Sequence, residues 1–121
     1  MVCGLDIKYS VTIRIENKLP PASIRVNGAS GSVMITKARF TIGRTDSSDL
    51  QLDSMYVGRK HAEIVKKTYS YVLKDLGSVN KTYLNGEELP PEVEKPLKDG
   101  DRIDFADVST VFLLDKGGNK A

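Results

Sequence analysis

Two arginines lie next to apolar, strand-like runs, where their side chains would be presented at the edge of a sheet. Gly43-Arg44 comes directly after Phe40-Thr41-Ile42, and Gly58-Arg59-Lys60-His61 leads into a second such run. A glycine lets the backbone turn sharply where a strand ends. The planar guanidinium group matches the oxygens of a phosphate in a bidentate manner. These residue types therefore favour binding of a phosphorylated side chain, whose charge near neutral pH is about −1.5 to −2.

A third polar segment has the short side chains of a hydrogen-bonding loop. Its sequence is Asp75-Leu76-Gly77-Ser78-Val79-Asn80-Lys81-Thr82-Tyr83-Leu84-Asn85-Gly86. The Asn80 amide can both donate to and accept from a peptide backbone. The loops at one end of a β-sandwich converge, so we expect Arg44, Arg59 and Asn80, with Lys60, to surround one patch that binds a phosphopeptide.

Each segment taken alone also has a plain structural interpretation. A strand end with a solvated arginine accounts for Gly43-Arg44, and a solvated surface accounts for Arg59-Lys60. His61, single and beside an apolar run, is more typical of a hydrogen-bonded structural histidine than of a catalyst. The combination of all three segments favours a binding site.

Composition excludes several other classes of function. The 18 basic and 16 acidic residues give a formal charge of +2, too small to indicate a nucleic-acid binder. No apolar run approaches the roughly 18 residues of a membrane span, and Met1–Tyr9 lacks the layout of a signal peptide. One cysteine, Cys3, and one histidine favour neither a disulfide nor a metal site. No nucleophile stands beside a base. We therefore expect a cytoplasmic, monomeric protein that is not an enzyme and has no metal, cofactor, membrane or nucleic-acid partner.

Strand signals dominate the elements that must position these loops. Val11, Ile13 and Ile15 alternate with polar residues, a pattern that buries one face of a strand. Further strands are predicted at Ser23–Val26, Ser32–Thr36, Phe40–Ile42, Leu50–Leu52, Ala62–Lys66, Tyr69–Leu73, Thr82–Leu84, Ile103–Phe105 and Thr110–Leu114. Asn85-Gly86 indicates a type I′ hairpin. No helical period persists over about a dozen residues, so we expect little or no helix. The pattern predicts an all-β fold of two packed antiparallel sheets, with a small closed barrel as the alternative.

The order of these segments resembles the forkhead-associated (FHA) domain over about Phe40 to Phe105. The matching blocks are Phe40-Thr41-Ile42-Gly43-Arg44, Ser48-Asp49-Leu50-Gln51-Leu52, Val57-Gly58-Arg59-Lys60-His61-Ala62-Glu63-Ile64, Asp75 to Gly86, and Leu97-Lys98-Asp99-Gly100-Asp101-Arg102-Ile103. The resemblance implies a sandwich of about eleven strands that binds phosphothreonine peptides through loops at one end. Residues 9–115 would form the domain, between a flexible N-terminal segment at 1–8 and a flexible tail at 116–121.

The resemblance also implies a role for each matching residue. Arg44 would grip the phosphate, and Asn80 would hold the peptide main chain just beyond the phosphothreonine. Arg59 would lie beside the phosphate or a neighbouring peptide residue. His61 would be a buried brace that hydrogen-bonds the loops together.

The other matching positions are glycines and turn residues. Asn85 and Gly86 would make the hairpin turn. Gly43 would let the chain turn where its strand ends. Like Asn85 and Gly86, it would be a structural brace rather than a ligand contact.

Three positions of the expected phosphopeptide site depart from the family pattern. Gly58 replaces a serine whose hydroxyl donates to the phosphate, and such a bond is worth roughly 1.5–3 kcal/mol. Val79 replaces a commonly hydroxyl-bearing residue. Lys81 replaces a glycine, which costs about 1 kcal/mol or more if φ must be positive there. In partial compensation, the Lys81 cation and the Gly58 N–H could both reach an anionic ligand.

Two functions follow from this balance. The first is a phosphothreonine-dependent module that recruits a partner phosphorylated in a serine/threonine kinase pathway. The second is a degenerate FHA scaffold that binds its partners without phosphate. Arg44 and Asn80 favour the first, whereas Gly58, Val79 and Lys81 favour the second.

Overall fold

A computed structural model describes residues 19–115 as eleven strands with no helix among them. The strands are β1 Ala22–Val26, β2 Val33–Met34, β3 Arg39–Gly43, β4 Leu50–Gln51, β5 Ala62–Lys66, β6 Tyr71–Asp75, β7 Thr82–Leu84, β8 Glu87–Glu88, β9 Lys95–Pro96, β10 Arg102–Phe105 and β11 Val108–Leu114. The strand expected near Val11, the residue Cys3 and the two ends expected to be flexible lie outside the described residues.

The strands form two sheets, which confirms the predicted sandwich. One sheet has the order β9-β6-β5-β3-β4, and the other has the order β2-β1-β11-β10-β7-β8. All neighbours are antiparallel except β3 and β4, where Ile42 pairs with Leu50 in parallel. The chain returns alongside β3 because Asp49 and Thr41 hydrogen-bond each other through both backbone and side chain.

The core lies between the two sheets and is built from alternate strand residues. Phe40 and Ile42 of β3 are 2% and 0% exposed, while Arg39 is exposed and Thr41 is half-buried on the other face of the strand. Burial of apolar surface stabilises the fold by roughly 25 cal/mol per Å². The largest fully buried apolar side chains include Ile24, Ile64, Leu73, Ile103, Phe105 and Phe112. Because β3, β5 and β6 all contribute to this core, their ends give the connecting loops fixed starting points.

Several strand bounds differ from the sequence prediction, and two of the differences have a clear physical reason. The run predicted at Tyr69–Leu73 is shifted to Tyr71–Asp75, because the Lys67 N–H donates to the Ser70 carbonyl at 2.7 Å and closes a turn there. β9, which contains Pro96, was not predicted. Proline lacks a backbone donor and is tolerated at a sheet edge, the position that β9 occupies.

Candidate functional site

Connections between strands meet at one end of the sandwich. They are residues 44–49 between β3 and β4, residues 52–61 between β4 and β5, residues 76–81 between β6 and β7, and the turn at 106–107 between β10 and β11. The backbone N–H of Arg44 donates to the Gly58 carbonyl at 2.9 Å, which joins the first two connections. The N–H of Ala106 donates to the Lys81 carbonyl at 3.0 Å, which joins the last two.

Gly43 lets two of these connections approach closely. A Cβ atom built on Gly43 would lie 1.9 Å from the carbonyl oxygen of Arg59 and 2.9 Å from Ser48 Oγ. Only glycine leaves room for that carbonyl. Because Gly43 has no side chain, the backbone of Arg59 can lie directly against it, next to Arg44.

Exposed cations lie on both sides of this close contact. Arg44 and Arg59 are exposed, and their guanidinium groups make no hydrogen bond or ion pair with any residue between 19 and 115. Lys60 is exposed and equally unpaired within that range. Fixed backbones and unpaired positive charge make this surface suited to an anionic ligand.

His61 joins two loops from beneath. It is 0% exposed, and its Nδ1 accepts the N–H of Gly58 at 2.9 Å. Because Nδ1 is the acceptor of that bond, the Nε2–H donates to the Lys81 carbonyl at 2.9 Å. The ring also packs edge-on against Phe105, with 6.0 Å between centroids. The expectation that the Gly58 N–H could serve the ligand is wrong, since that donor is already used by His61.

Asp75 organises the β6–β7 loop and was missed in the sequence analysis. It is 1% exposed and accepts hydrogen bonds from both the side chain and the N–H of Ser78, from Thr82 Oγ1 at 2.7 Å and from the Gly77 N–H at 2.9 Å. Burial alone would raise the pKa of Asp75, but these hydrogen bonds outweigh it and hold the pKa below its ordinary value. The spacing of Asp75, Gly77 and Ser78, typical of an Asx turn, was the available signal.

Asn80 is held at the tip of the loop that Asp75 fixes. It is exposed, and its Nδ2 donates to the Tyr56 carbonyl at 2.8 Å, which joins the β6–β7 loop to the β4–β5 loop. Its Oδ1 accepts no hydrogen bond from the described part of the chain. The amide oxygen can therefore accept a backbone N–H from an extended peptide.

The two residues flanking Asn80 differ in exposure and in backbone conformation. Val79 is 87% exposed, so its side chain contributes nothing to the core. Lys81 has φ of 71°, the positive value at which a side chain is strained. Its ammonium lies 4.0 Å from the Glu88 carboxylate, so this cation is directed to β8.

Asn85 and Gly86 form the turn of the β7–β8 hairpin, with φ of 51° and 89°. The Asn85 side chain donates to Asp101 Oδ1 at 3.1 Å and accepts the Arg102 N–H at 2.9 Å. This turn follows the end of β7 that is remote from the β6–β7 loop. It shapes the sheet and lies apart from the residues that could contact a ligand.

An apolar cavity adjoins Asn80 and was not foreseen. It has a volume of about 310 Å³ and is lined by Tyr56, Asn80, Tyr83, Ala106 and Asp107. Ala106 has φ of 58° in the tight turn, and Asp107 accepts a hydrogen bond from Ser54 Oγ at 2.7 Å. The β10–β11 turn therefore belongs to the same end of the molecule as the arginines.

Other classes of site are not supported by the described residues. Between residues 19 and 115 there is no group of three or more His, Cys, Asp or Glu side chains that could hold a metal ion. The same range contains no helix long and apolar enough to cross a membrane.

A family model of the FHA domain matches residues 40–106. The oxoglutarate dehydrogenase inhibitor of Corynebacterium diphtheriae is 34% identical over 85 residues, which are 70% of this chain and 57% of that protein. The glycogen accumulation regulator GarA of Mycobacterium tuberculosis is 33% identical over 100 residues, which are 78% of this chain and 60% of GarA. The chain thus spans less than two thirds of these relatives.

A solved structure gives the same fold. Mycobacterium tuberculosis EmbR, in complex with a low-affinity phosphopeptide, superposes with a TM-score of 0.74 at 29% identity. The match covers 86% of this chain and 28% of EmbR. Together with the family match, the similarity to solved FHA domains shows that the two-sheet architecture described above is theirs.

Proposed function

The chain belongs to the FHA domain family, and we propose that it is a phosphothreonine-dependent protein interaction module. It recruits a partner phosphorylated in a serine/threonine kinase pathway, and it acts as a cytoplasmic monomer without catalysing a reaction. No metal, cofactor, membrane or nucleic acid takes part. The observation that carries the proposal is the pair of exposed guanidinium groups of Arg44 and Arg59 beside the Gly43 contact, which have no partner among residues 19–115.

In this proposal the exposed loop residues have separate roles in binding. Arg44 donates charge-assisted hydrogen bonds to the phosphate, and Arg59 lies beside the phosphate or a neighbouring peptide residue. Asn80, held by Tyr56, accepts a peptide N–H beyond the phosphothreonine through its Oδ1. The threonine methyl group fills a small apolar slot that serine leaves empty.

Buried residues hold these groups in place. Gly43 admits the Arg59 carbonyl, and His61 links Gly58 to Lys81. Their role is positional, because preorganised donors bind an anion without the cost of ordering loops on binding.

A specific observation supports the second candidate, an FHA scaffold that binds partners without phosphate. At Gly58 the phosphate would find no hydroxyl, and the backbone N–H is already donated to His61. Val79 supplies no hydroxyl either, and the Lys81 ammonium is directed to Glu88. The phosphate would then depend on the arginines alone.

Binding titrations with a phosphothreonine peptide library separate the two candidates. Each phosphopeptide is compared with its unphosphorylated and phosphoserine twins, using the wild type and Arg44→Ala. We expect a preference for phosphothreonine that Arg44→Ala lowers by roughly tenfold to a hundredfold, the value of a hydrogen bond to a charged group. Arg25→Ala is the matched control, because Arg25 is exposed on β1 in the other sheet and its removal changes the net charge equally.

Two results would contradict the proposed phosphothreonine-dependent binding. If no phosphopeptide binds better than its unphosphorylated twin, the phosphate-independent scaffold is the function. If Arg25→Ala weakens binding as much as Arg44→Ala, bulk charge rather than a phosphate site accounts for the preference.

A further inference from the structure

A second cationic cavity lies beside the arginine-bearing loops and is not used by the proposed phosphothreonine contact. It has a volume of about 320 Å³ along β3 and the β3–β4 connection. Its lining includes Lys37, Arg39, Lys60, Ser47, Ser48 and Asp49. Three cations therefore face one carboxylate, which gives the walls an excess of positive charge.

The cations keep donors available for a ligand. Lys37 Nζ lies 2.9 Å from Asp49 Oδ1, but the lysine side chain is 63% exposed and an ammonium has three donors. Arg39 Nε lies 3.7 Å from Glu63 Oε1, and the arginine side chain is 69% exposed. Its guanidinium makes no hydrogen bond with any residue between 19 and 115, so its terminal nitrogens can still make a bidentate contact.

The cavity adjoins the loops of the proposed site, and Asn80 is not among its lining residues. Ser48 Oγ lies 3.5 Å from the Arg59 carbonyl, and Lys60 follows Arg59 directly. Asn80 instead contacts Tyr56, and neither residue lines this cavity. A peptide that runs past Asn80 after its phosphothreonine would reach the cavity with the residues before its phosphothreonine.

We propose that this cavity is a second anion site, which takes a carboxylate or a second phosphate from the segment before the phosphothreonine of the same partner. The inference rests on the proposed function. It assigns the partner's chemistry: a phosphothreonine preceded by acidic or phosphorylated residues.

Fluorescence polarisation with a matched peptide series tests the inference. One phosphothreonine peptide has neutral flanks, and the others carry a single glutamate or phosphoserine at successive positions before the phosphothreonine. We expect the best anionic peptide to bind roughly threefold to tenfold more tightly, with phosphoserine at least equal to glutamate because it carries more charge. The gain should shrink as the salt concentration rises.

Variants of the cavity provide the decisive comparison. Arg39→Gln alone should reduce the gain, and the pair Lys37→Gln with Arg39→Gln should abolish it, while the affinity for the neutral peptide is kept. The pair Lys95→Gln with Lys98→Gln removes the same charge from exposed positions on and just after β9, at the opposite edge of that sheet, and should keep the gain. Melting temperatures confirm that each variant is folded.

The outcomes distinguish this inference from the proposed function. Phosphate-dependent binding of the neutral peptide with no gain from anionic flanks overturns the second site alone. If the variants of Lys37 and Arg39 still bind the anionic peptides more tightly than the neutral one, the second site is also overturned, because another surface would then bind the anion. Absence of any preference for phosphothreonine overturns the proposed function, and the second site with it.

Discussion

The loop end of this molecule has two layers, which differ in burial and in hydrogen bonding. The support layer consists of Gly43, His61, Asp75 and Thr82. The proposed binding rim consists of Arg44, Gly58, Arg59 and Asn80. Every polar side chain of the support layer is buried and hydrogen-bonded, whereas the two guanidinium groups of the rim are exposed and have no partner in the described chain. The proposed function therefore places stability and ligand affinity on separate residues, so substitutions should change one with little effect on the other.

The largest effect is expected from Gly43→Ala in the support layer. The new methyl group would lie 1.9 Å from the Arg59 carbonyl, so the backbone must move. We expect a loss of roughly 3 kcal/mol or more in the free energy of unfolding, measured by urea denaturation. Gly31→Ala is the control, because a Cβ there meets nothing within 4 Å. Equal stability of the two variants would contradict the close contact.

Asp75→Asn should destabilise the support layer by roughly 2–3 kcal/mol, since the neutral amide offers one acceptor oxygen where the carboxylate offers two to the donors of Gly77, Ser78 and Thr82. Its pH dependence gives a second check. Because the folded-state pKa of Asp75 lies below its ordinary value of 3.8, its stabilising contribution is complete above that value and is lost as pH falls through the folded pKa.

Acid denaturation curves measure this effect. The wild type should lose more stability than Asp75→Asn below about pH 4, so their difference should narrow there. Asp46→Asn, at an exposed position, should leave the curve unchanged. A wild-type curve parallel to that of Asp75→Asn would show that the carboxylate is not held in its charged form.

Gly58→Ser changes the proposed binding rim and should raise phosphopeptide affinity without changing the stability of the fold. A Cβ at Gly58 would lie 3.7 Å from His61 Nδ1, an ordinary contact, so the serine should fit without strain. The added hydroxyl should tighten phosphopeptide binding about tenfold, with stability nearly unchanged. Isothermal titration of wild type and variant measures it, with Gly58→Ala as the control that adds bulk without a donor. An unchanged affinity would place Gly58 away from the phosphate.

Lys81→Gly should have the smallest effect, a stabilisation of about 1 kcal/mol, because glycine adopts the φ of 71° without strain. Lys81→Ala keeps the strain and removes the same charge, so the difference between the two variants isolates the backbone. Thermal unfolding measures both. If Lys81→Gly is no more stable than Lys81→Ala, the positive φ is not costly.

The matching sequence blocks predicted the family, and the alternating runs predicted most strands and the two-sheet sandwich. Strand periodicity is local, because alternate side chains face the core whatever the partner strand is. The parallel pairing of β3 with β4 and the edge strand β9 were not predictable in this way, since both depend on which strands become neighbours.

At the candidate site, the residue types of Arg44, Arg59 and Asn80 pointed to phosphate chemistry from the sequence alone, because guanidinium and amide groups have fixed donor geometry. Only the tertiary structure decided which donors remain available. In the folded chain the Gly58 N–H donates to His61, and the Lys81 ammonium lies near the Glu88 carboxylate. These assignments depend on distances between loops far apart in the chain, and packing of the two sheets sets those distances.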